Sequence, residues 1–189
     1  MVFFPECFDY VGRNREENEA LAMAEGGEYI GRYRSCAKQY GLWLSLGGFH
    51  EKDPAGQRKP FNTHLIINDS GETCGIYRKL HLFDVDIPGK IAAPVNTPVG
   101  NVAMSICYDL RFAELALWHR MKGAHILTYP AAFTVNTGLA HWEVSFLCVL
   151  CKNSSLEAKI PESCSCPRLN FFRWEPLTAS HSLQLSAPP

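Results

Sequence analysis

The chain lacks any long hydrophobic run: no apolar stretch approaches the roughly 20 residues that cross a bilayer. It also lacks an excess of either charge, with 18 Lys+Arg against 19 Asp+Glu, a formal net charge of −1 and a pI near 6.6. That balance argues against the broad basic face by which a nucleic-acid or anionic-membrane binder draws its partner. Met1-Val2-Phe3-Phe4 meets Pro5-Glu6 before the apolar core of a secretory signal can form. The expected location is therefore the cytoplasm, with mitochondria as the alternative. No internal repeat is present, and Gly-x-Ser-x-Gly, the signature of a serine nucleophile elbow, is missing. What remains, 47% hydrophobic and 20% charged residues in 189, suits one soluble domain with a sizeable core.

Cysteine is not scarce. Cys7, Cys36, Cys74 and Cys107 are scattered through apolar segments, as reduced core cysteines are. Cys148-x-x-Cys151 and Cys164-x-Cys166, with His181 beyond, match no standard zinc spacing, so no metal site is expected.

The chain is organised around residues 102–115. The apolar run Val102-Ala103-Met104-Ser105-Ile106 ends at Cys107, polar residues follow at Asp109 and Arg111, and Leu115, Leu117, Trp118 and Met121 then recur at helical spacing. The pattern predicts a buried strand, a sharp turn and a helix. Most cysteines are core packing, but one at the carboxyl end of a strand and the amino end of a helix meets unpaired N–H groups and a favourable dipole. Those conditions predict a lowered thiol pKa and a nucleophile.

Taken in order, residues 1–4 read as a short strand stopped by Pro5-Glu6, and residues 13–24 as a helix interrupted at Gly26-Gly27. Residues 28–40 carry Tyr29, Ile30, Tyr33, Ala37 and Tyr40 on one helical face, closed by Gly41. A strand over 42–46 ends at Gly47-Gly48, and a charged loop follows over 51–59. Strands over 63–67 and 73–77 are joined by Asn68-Asp69-Ser70-Gly71, a hairpin signal. Residues 86–90 form a turn, 99–106 the strand before Cys107, 125–129 a further buried strand ended by Pro130, and 131–140 a loop before a helix opening at His141-Trp142-Glu143. Such alternation means a layered α/β fold, in which sites gather at the carboxyl ends of strands. Three such ends carry Glu6, Lys79 and Cys107. From residue 152 onward, serines and prolines break the periodicity: residues 1–150 form the domain, and 151–189 a divergent tail expected to be disordered.

A carboxylate, an ammonium and a thiol suffice for acyl transfer without metal or organic cofactor. The segments that carry them, Phe3-Phe4-Pro5-Glu6-Cys7-Phe8, Tyr77-Arg78-Lys79-Leu80-His81-Leu82-Phe83-Asp84 and Ile106-Cys107-Tyr108-Asp109-Leu110-Arg111-Phe112, resemble, in order, three motifs of the nitrilase or carbon–nitrogen hydrolase superfamily. Residues 41–48, 86–90 and 137–143 extend the likeness, which covers residues 1 to about 144. It is greatest to the branch of deaminated glutathione amidases and their fusions with a fragile-histidine-triad domain, with omega-amidases second.

The resemblance implies a four-layer α-β-β-α sandwich, incomplete at the N-terminus and after about residue 144. It implies Glu6 as general base, Lys79 as the catalytic lysine, Cys107 as nucleophile, and Tyr108 as backbone donor to the oxyanion. Phe133, His141 and Trp142 are candidates to line the substrate pocket. The expected partner is a small carboxamide of the α-keto acid type, hydrolysed to acid and ammonia, with no nucleic acid or membrane. The family also suggests a homo-oligomer. The family's second active-site glutamate has no counterpart, because Lys90 runs straight into Ile91-Ala92-Ala93-Pro94. The sequence therefore reads as a shortened form of an amidase, with an inactive chain that binds a partner as the alternative.

Overall fold

A computed structural model describes residues 1–56, 59–82, 90–152, 156–159 and 171–176. Its elements in chain order are β1 (Val2–Phe3), α1 (Arg15–Ala20), α2 (Glu28–Tyr40), β2 (Leu44–Glu51), β3 (Phe61–Ile67), β4 (Thr73–Arg78), β5 (Val95–Thr97), β6 (Gly100–Met104), a 3₁₀ turn (Cys107–Arg111), α3 (Ala113–Met121), β7 (Ile126–Thr128), α4 (Val135–Lys152), β8 (Leu156–Lys159) and β9 (Phe171–Pro176).

Two sheets stack face to face. The first has the order β1-β2-β3-β4, with β1 parallel to β2 and the rest antiparallel; the second has the order β5-β6-β7-β9-β8, with β6 and β7 parallel. Strand periodicity sorts the side chains into layers. Leu44, Leu46, Leu65 and Ile67 face α2 and meet Ile30, Ala37, Phe49, Tyr29 and Tyr33. Ile66, Tyr77, Val102, Met104, Ile106 and Ile126 fill the space between the sheets together with Cys107. Ala103 and Leu127 point the other way and pack under α3 and α4, against Ala113, Ala116, Tyr129 and Val149. The result is the α-β-β-α sandwich expected from the sequence. Helix α2 closes as its glycine requires: Gly41 has φ 61°, and its N–H bonds the Ala37 carbonyl.

Several boundaries differ from the sequence expectation. The first helix is only Arg15–Ala20, capped by Asn14. Strand β2 does not stop at Gly47-Gly48 but runs through both, with its register to β3 shifting between Leu46 and Phe49. A Cβ on Gly47 would lie 2.1 Å from the Phe4 carbonyl oxygen and 2.4 Å from Pro130 Cβ, so the glycine is there for close approach. The expected strand over 99–106 is the second arm of a β5–β6 hairpin, turned at Gly100 with φ 116°. The expected loop over 131–140 is already helical from Val135, placing His141 and Trp142 two turns inside α4. Two tail segments, β8 and β9, join the second sheet where no regular structure was expected: β9 pairs with β7 antiparallel, and Phe171-Phe172 and Trp174 have the β-propensity for it. The expected turn over 86–90 and the tail cysteine pair Cys164-x-Cys166 lie outside the described residues, apart from Lys90.

Candidate active site

The site is assembled from both sheets. The chain leaves β1 while still paired, Phe4 N–H donating to the Ser45 carbonyl at 2.8 Å, and Glu6 follows within two residues. Lys79 comes directly after β4, and its N–H donates to the Asn62 carbonyl at 2.8 Å. Cys107 begins the 3₁₀ turn after β6, and its N–H donates to the Pro130 carbonyl at 2.9 Å. Two residues other than glycine have positive φ among those described: Cys7, just after Glu6, at 53°, and Cys107 itself at 46°. Left-handed backbone at a cysteine costs on the order of 1 kcal/mol, and both instances turn the chain sharply at the site. The second is the thiol counterpart of a nucleophile elbow.

The three side chains meet and are all buried. Lys79 Nζ donates to Glu6 Oε1 at 2.9 Å. Asn62 Nδ2 donates to the same oxygen at 2.8 Å, and the Ala132 N–H donates to Oε2 at 2.9 Å. The Cys107 thiol lies within the reach of both groups: the Glu6 carboxylate acts to raise its pKa and the Ala132 N–H to lower it. The carboxylate thus stands between ammonium and thiol, with its two oxygens held by donors from three separate segments.

The electrostatics correct one expectation. The Cys107 thiol is not lowered but pushed up to about 12, by burial first and then by the Glu6 charge, with Lys79 pulling the other way. The start of a short 3₁₀ turn does not offset desolvation beside a carboxylate. Lys79 is pushed down by burial, yet the negative charge of Glu6 and, once the thiol ionises, that of Cys107 more than compensate, and it ends above its ordinary value. At neutral pH the group is therefore an ammonium beside a protonated thiol that has a base within reach. Cys7, next to Glu6, is also raised to about 12, by burial and the charges of Glu6 and Asp9.

A fully buried carboxylate, Asp109, joins the two sides. Its Oδ2 accepts from the Tyr77 hydroxyl at 2.7 Å and from the Ile106 N–H at 2.8 Å; its Oδ1 accepts from the His81 N–H at 3.2 Å and contacts His81 Nδ1 at 2.7 Å. The Tyr77 hydroxyl in turn receives the Leu80 N–H at 3.1 Å. The residues flanking Lys79 and the residue before Cys107 are thereby fastened to one group. His81 also stacks on Phe112, with centroids 3.5 Å apart.

Of the four candidate pocket residues, Tyr108 follows Cys107 in the turn, half-buried, with its ring under the Arg111 guanidinium at 4.9 Å. Phe133 packs on the cluster that contains Cys107 and meets Trp142 edge-on at 5.3 Å. His141 lies on the exposed side of α4. Sequence reasoning missed Asn62, the Ala132 N–H and the Pro130 carbonyl. The last two are backbone groups that any residue supplies, and Asn62 sits in no motif that marks it.

A thiol, a carboxylate and an ammonium gathered at strand ends of an α-β-β-α sandwich define a hydrolase-like class. Over residues 1–147 the chain matches the carbon-nitrogen hydrolase family, and it belongs to that family. It is 52% identical over 157 residues to the nitrilase and fragile histidine triad fusion protein NitFhit of Caenorhabditis elegans, covering 76% of this chain and 36% of that one. The crystal structure of the same worm protein superposes with a TM-score of 0.67, covering 76% of this chain and 38% of that chain. Identity to the mouse deaminated glutathione amidase is 44% over 160 residues, with 76% and 50% covered. For an omega-amidase of Xenopus tropicalis it is 37% over 157 residues, with 76% and 55% covered. The chain thus spans about a third to a little over half of these relatives. Among the described residues no helix is long and apolar enough to cross a membrane.

Proposed function

We propose that this chain carries the acyl-transfer site of a thiol-dependent amidase, which hydrolyses a small carboxamide to its acid and ammonia. The observation that carries the reading is the single buried carboxylate, Glu6, bonded to the Lys79 ammonium and close enough to the Cys107 thiol to dominate the charges acting on it. In this mechanism Glu6 takes the thiol proton as sulfur attacks the amide carbon, because a thiol raised to about 12 does not ionise unaided near neutrality. The negative charge that develops on the carbonyl oxygen meets the Lys79 ammonium and the Tyr108 N–H in the first turn after the nucleophile. Collapse breaks the C–N bond, and Glu6 returns its proton to the leaving nitrogen, which departs as ammonia. Glu6 then deprotonates water; the hydroxide attacks the thioester, and the C–S bond breaks as Glu6 returns that proton to the sulfur, releasing the acid and restoring the thiol.

The substrate class follows the relatives: deaminated glutathione, or a similar short α-keto acid amide. Phe133 and Trp142 offer an apolar wall beside Cys107 for the body of such a small amide.

The test is ammonia release from deaminated glutathione by the purified chain, with Cys107→Ala alongside. Release that disappears in the variant supports the reading. A folded chain with no release favours the competing one, a protein that holds the site without turning over. That reading draws on the break after Lys90, where the family's second glutamate has no counterpart.

A further inference from the structure

We propose that Asn62 is a positioning residue for the base: it fixes the Glu6 carboxylate toward Cys107 and sets the Lys79 backbone at the same time. The inference rests on the amidase reading and adds a residue to its machinery. Asn62 lies in β3 opposite His50 of β2 and ends the β3–β4 ladder on the side where Lys79 leaves it. Its carbonyl accepts the Lys79 N–H at 2.8 Å, and its Nδ2 donates to Glu6 Oε1 at 2.8 Å, the oxygen that also holds Lys79 Nζ. One residue therefore grips the lysine by its main chain and the carboxylate by its head.

The rest of the amide explains why this contact is more than packing. Asn62 Oδ1 is buried, and among the described residues no donor reaches it. It lies against Gly48, where a Cβ would come within 2.8 Å of it and within 3.3 Å of Glu6 Cγ. Turning the amide over would set its oxygen against the Glu6 carboxylate, so the nitrogen must face Glu6. A buried, unpaired oxygen weakens a fold, and an apolar side chain of similar shape would avoid it. What asparagine adds here is the donor to Glu6.

A carboxylate that loses one of its donors holds its proton to higher pH and swings more freely about its last torsion. Removing the Asn62 donor therefore slows proton removal from Cys107 most at low pH. The titratable groups facing Glu6 are Lys79, Cys107 and the adjacent Cys7, with Asp109 acting on Lys79 and Asp9 on Cys7; none of them is altered by a change at position 62.

The experiment measures the rate of Cys107 alkylation by iodoacetamide from pH 5 to 9, read by mass spectrometry of the labelled peptide. It compares the native chain, Asn62→Leu, Gly48→Ala and Ile30→Val. Asn62→Leu is expected to slow Cys107 by about threefold at the acid end of the range, near pH 5, and to approach the native rate near pH 9. Gly48→Ala displaces the amide without removing it and shifts the profile in the same direction, which keeps the test alive if Asn62→Leu does not fold. Ile30→Val, in the α2 core, lowers the melting temperature and leaves the profile in place. A native profile in both site variants overturns the role of Asn62 alone. A native Cys107 rate that simply rises about tenfold per pH unit from pH 5 to 9, as an unassisted thiol of high pKa does, overturns the role of Glu6 as its base, and the role of Asn62 with it.

Discussion

The two sheets contribute different chemistry to one site. The first supplies everything that carries or moves charge: Glu6 after β1, Asn62 in β3 and Lys79 after β4. The second supplies the reacting atom, Cys107 after β6, with two backbone groups after β7, the Pro130 carbonyl and the Ala132 N–H. A site split this way is only as well organised as the sheet-to-sheet interface. Besides the Glu6–Ala132 bond, two buried polar links among the described residues cross that interface beside the apolar layer. Asp109 ties Tyr77 and His81 to Ile106, and His64 of β3 joins Ser45, at 2.7 Å, to the Ser105 carbonyl, at 3.3 Å. Apolar packing alone is tolerant of sliding, whereas directed hydrogen bonds to one carboxylate are not. The acid–base half and the nucleophile half are therefore held in register by polar groups that take no part in the proposed chemistry.

Removing the Asp109 link breaks the comparison most severely. Asp109→Ala leaves the Tyr77 hydroxyl, the Ile106 N–H and the two His81 donors without their common acceptor. Stranding several buried donors costs about 4 kcal/mol, which lowers the melting temperature of a chain this size by on the order of 10 °C. Calorimetry measures the loss, and Cys107 alkylation below the transition should slow as well, because Lys79 and Cys107 lose their shared anchor. Unchanged alkylation in a destabilised Asp109→Ala would show that the sheets stay aligned without this link.

Gly47 tests the same junction sterically. It is where β2 lets Phe4, two residues before Glu6, and Pro130, two residues before Ala132, approach together. Gly47→Ala must move one or both, at about 3 kcal/mol for overpacking at a backbone contact. Urea unfolding reads that cost. A cost below about 0.5 kcal/mol would mean that the two segments yield freely.

How much of this could be read in advance differs between the two halves. Glu6, Lys79 and Cys107 were legible because each sits in a motif and at a strand end, and strand ends are where layered α/β folds collect ligands. The period-2 pattern also separated Ala103 and Leu127 from Val102 and Ile126, so the layers were implicit in the alternation. The thiol pKa was misread because the sequence shows a helix start after Cys107 but neither its burial nor the carboxylate pressed against it. Asn62 reaches Glu6, and Asp109 reaches Tyr77 and His81, across 56 and 28 to 32 residues, a separation no local pattern encodes. The run through Gly47-Gly48 was taken for a strand end because paired glycines usually mark one, and here they serve close approach instead.

A milder perturbation titrates the second link. Burial pushes both His64 and His119 down to about 4, from an ordinary 6.5. Between those values the unfolded chain takes up protons that the folded chain refuses, so stability rises with pH across this window and is lost as pH falls through it. Each imidazole withdraws about 2 kcal/mol between pH 7 and pH 5. His119→Leu should remove one share of that slope and leave the other, as measured by urea unfolding at pH 5, 6 and 7. A slope unchanged in His119→Leu would show that this imidazole is solvated in the folded chain.

The smallest effect lies farthest from both links. Helix α1 buries no residue and is held at its start by Asn14, whose Oδ1 receives the Glu17 N–H at 2.8 Å, while Glu17 Oε2 receives the Arg13 N–H. Loss of such a cap costs about 1 kcal/mol locally. Because nothing in α1 belongs to the three core layers, Asn14→Ala should open this helix without moving the global transition by more than a degree or two. Amide exchange at Glu17 should accelerate about fivefold, as 1 kcal/mol implies, while the Cys107 alkylation rate stays native. A slower Cys107 in this variant would mean that α1 bears on the loop carrying Glu6. The first sheet would then hold its base partly from outside, through Tyr10, whose hydroxyl donates to the Asn18 carbonyl at 2.7 Å, and not only through the contacts between the sheets.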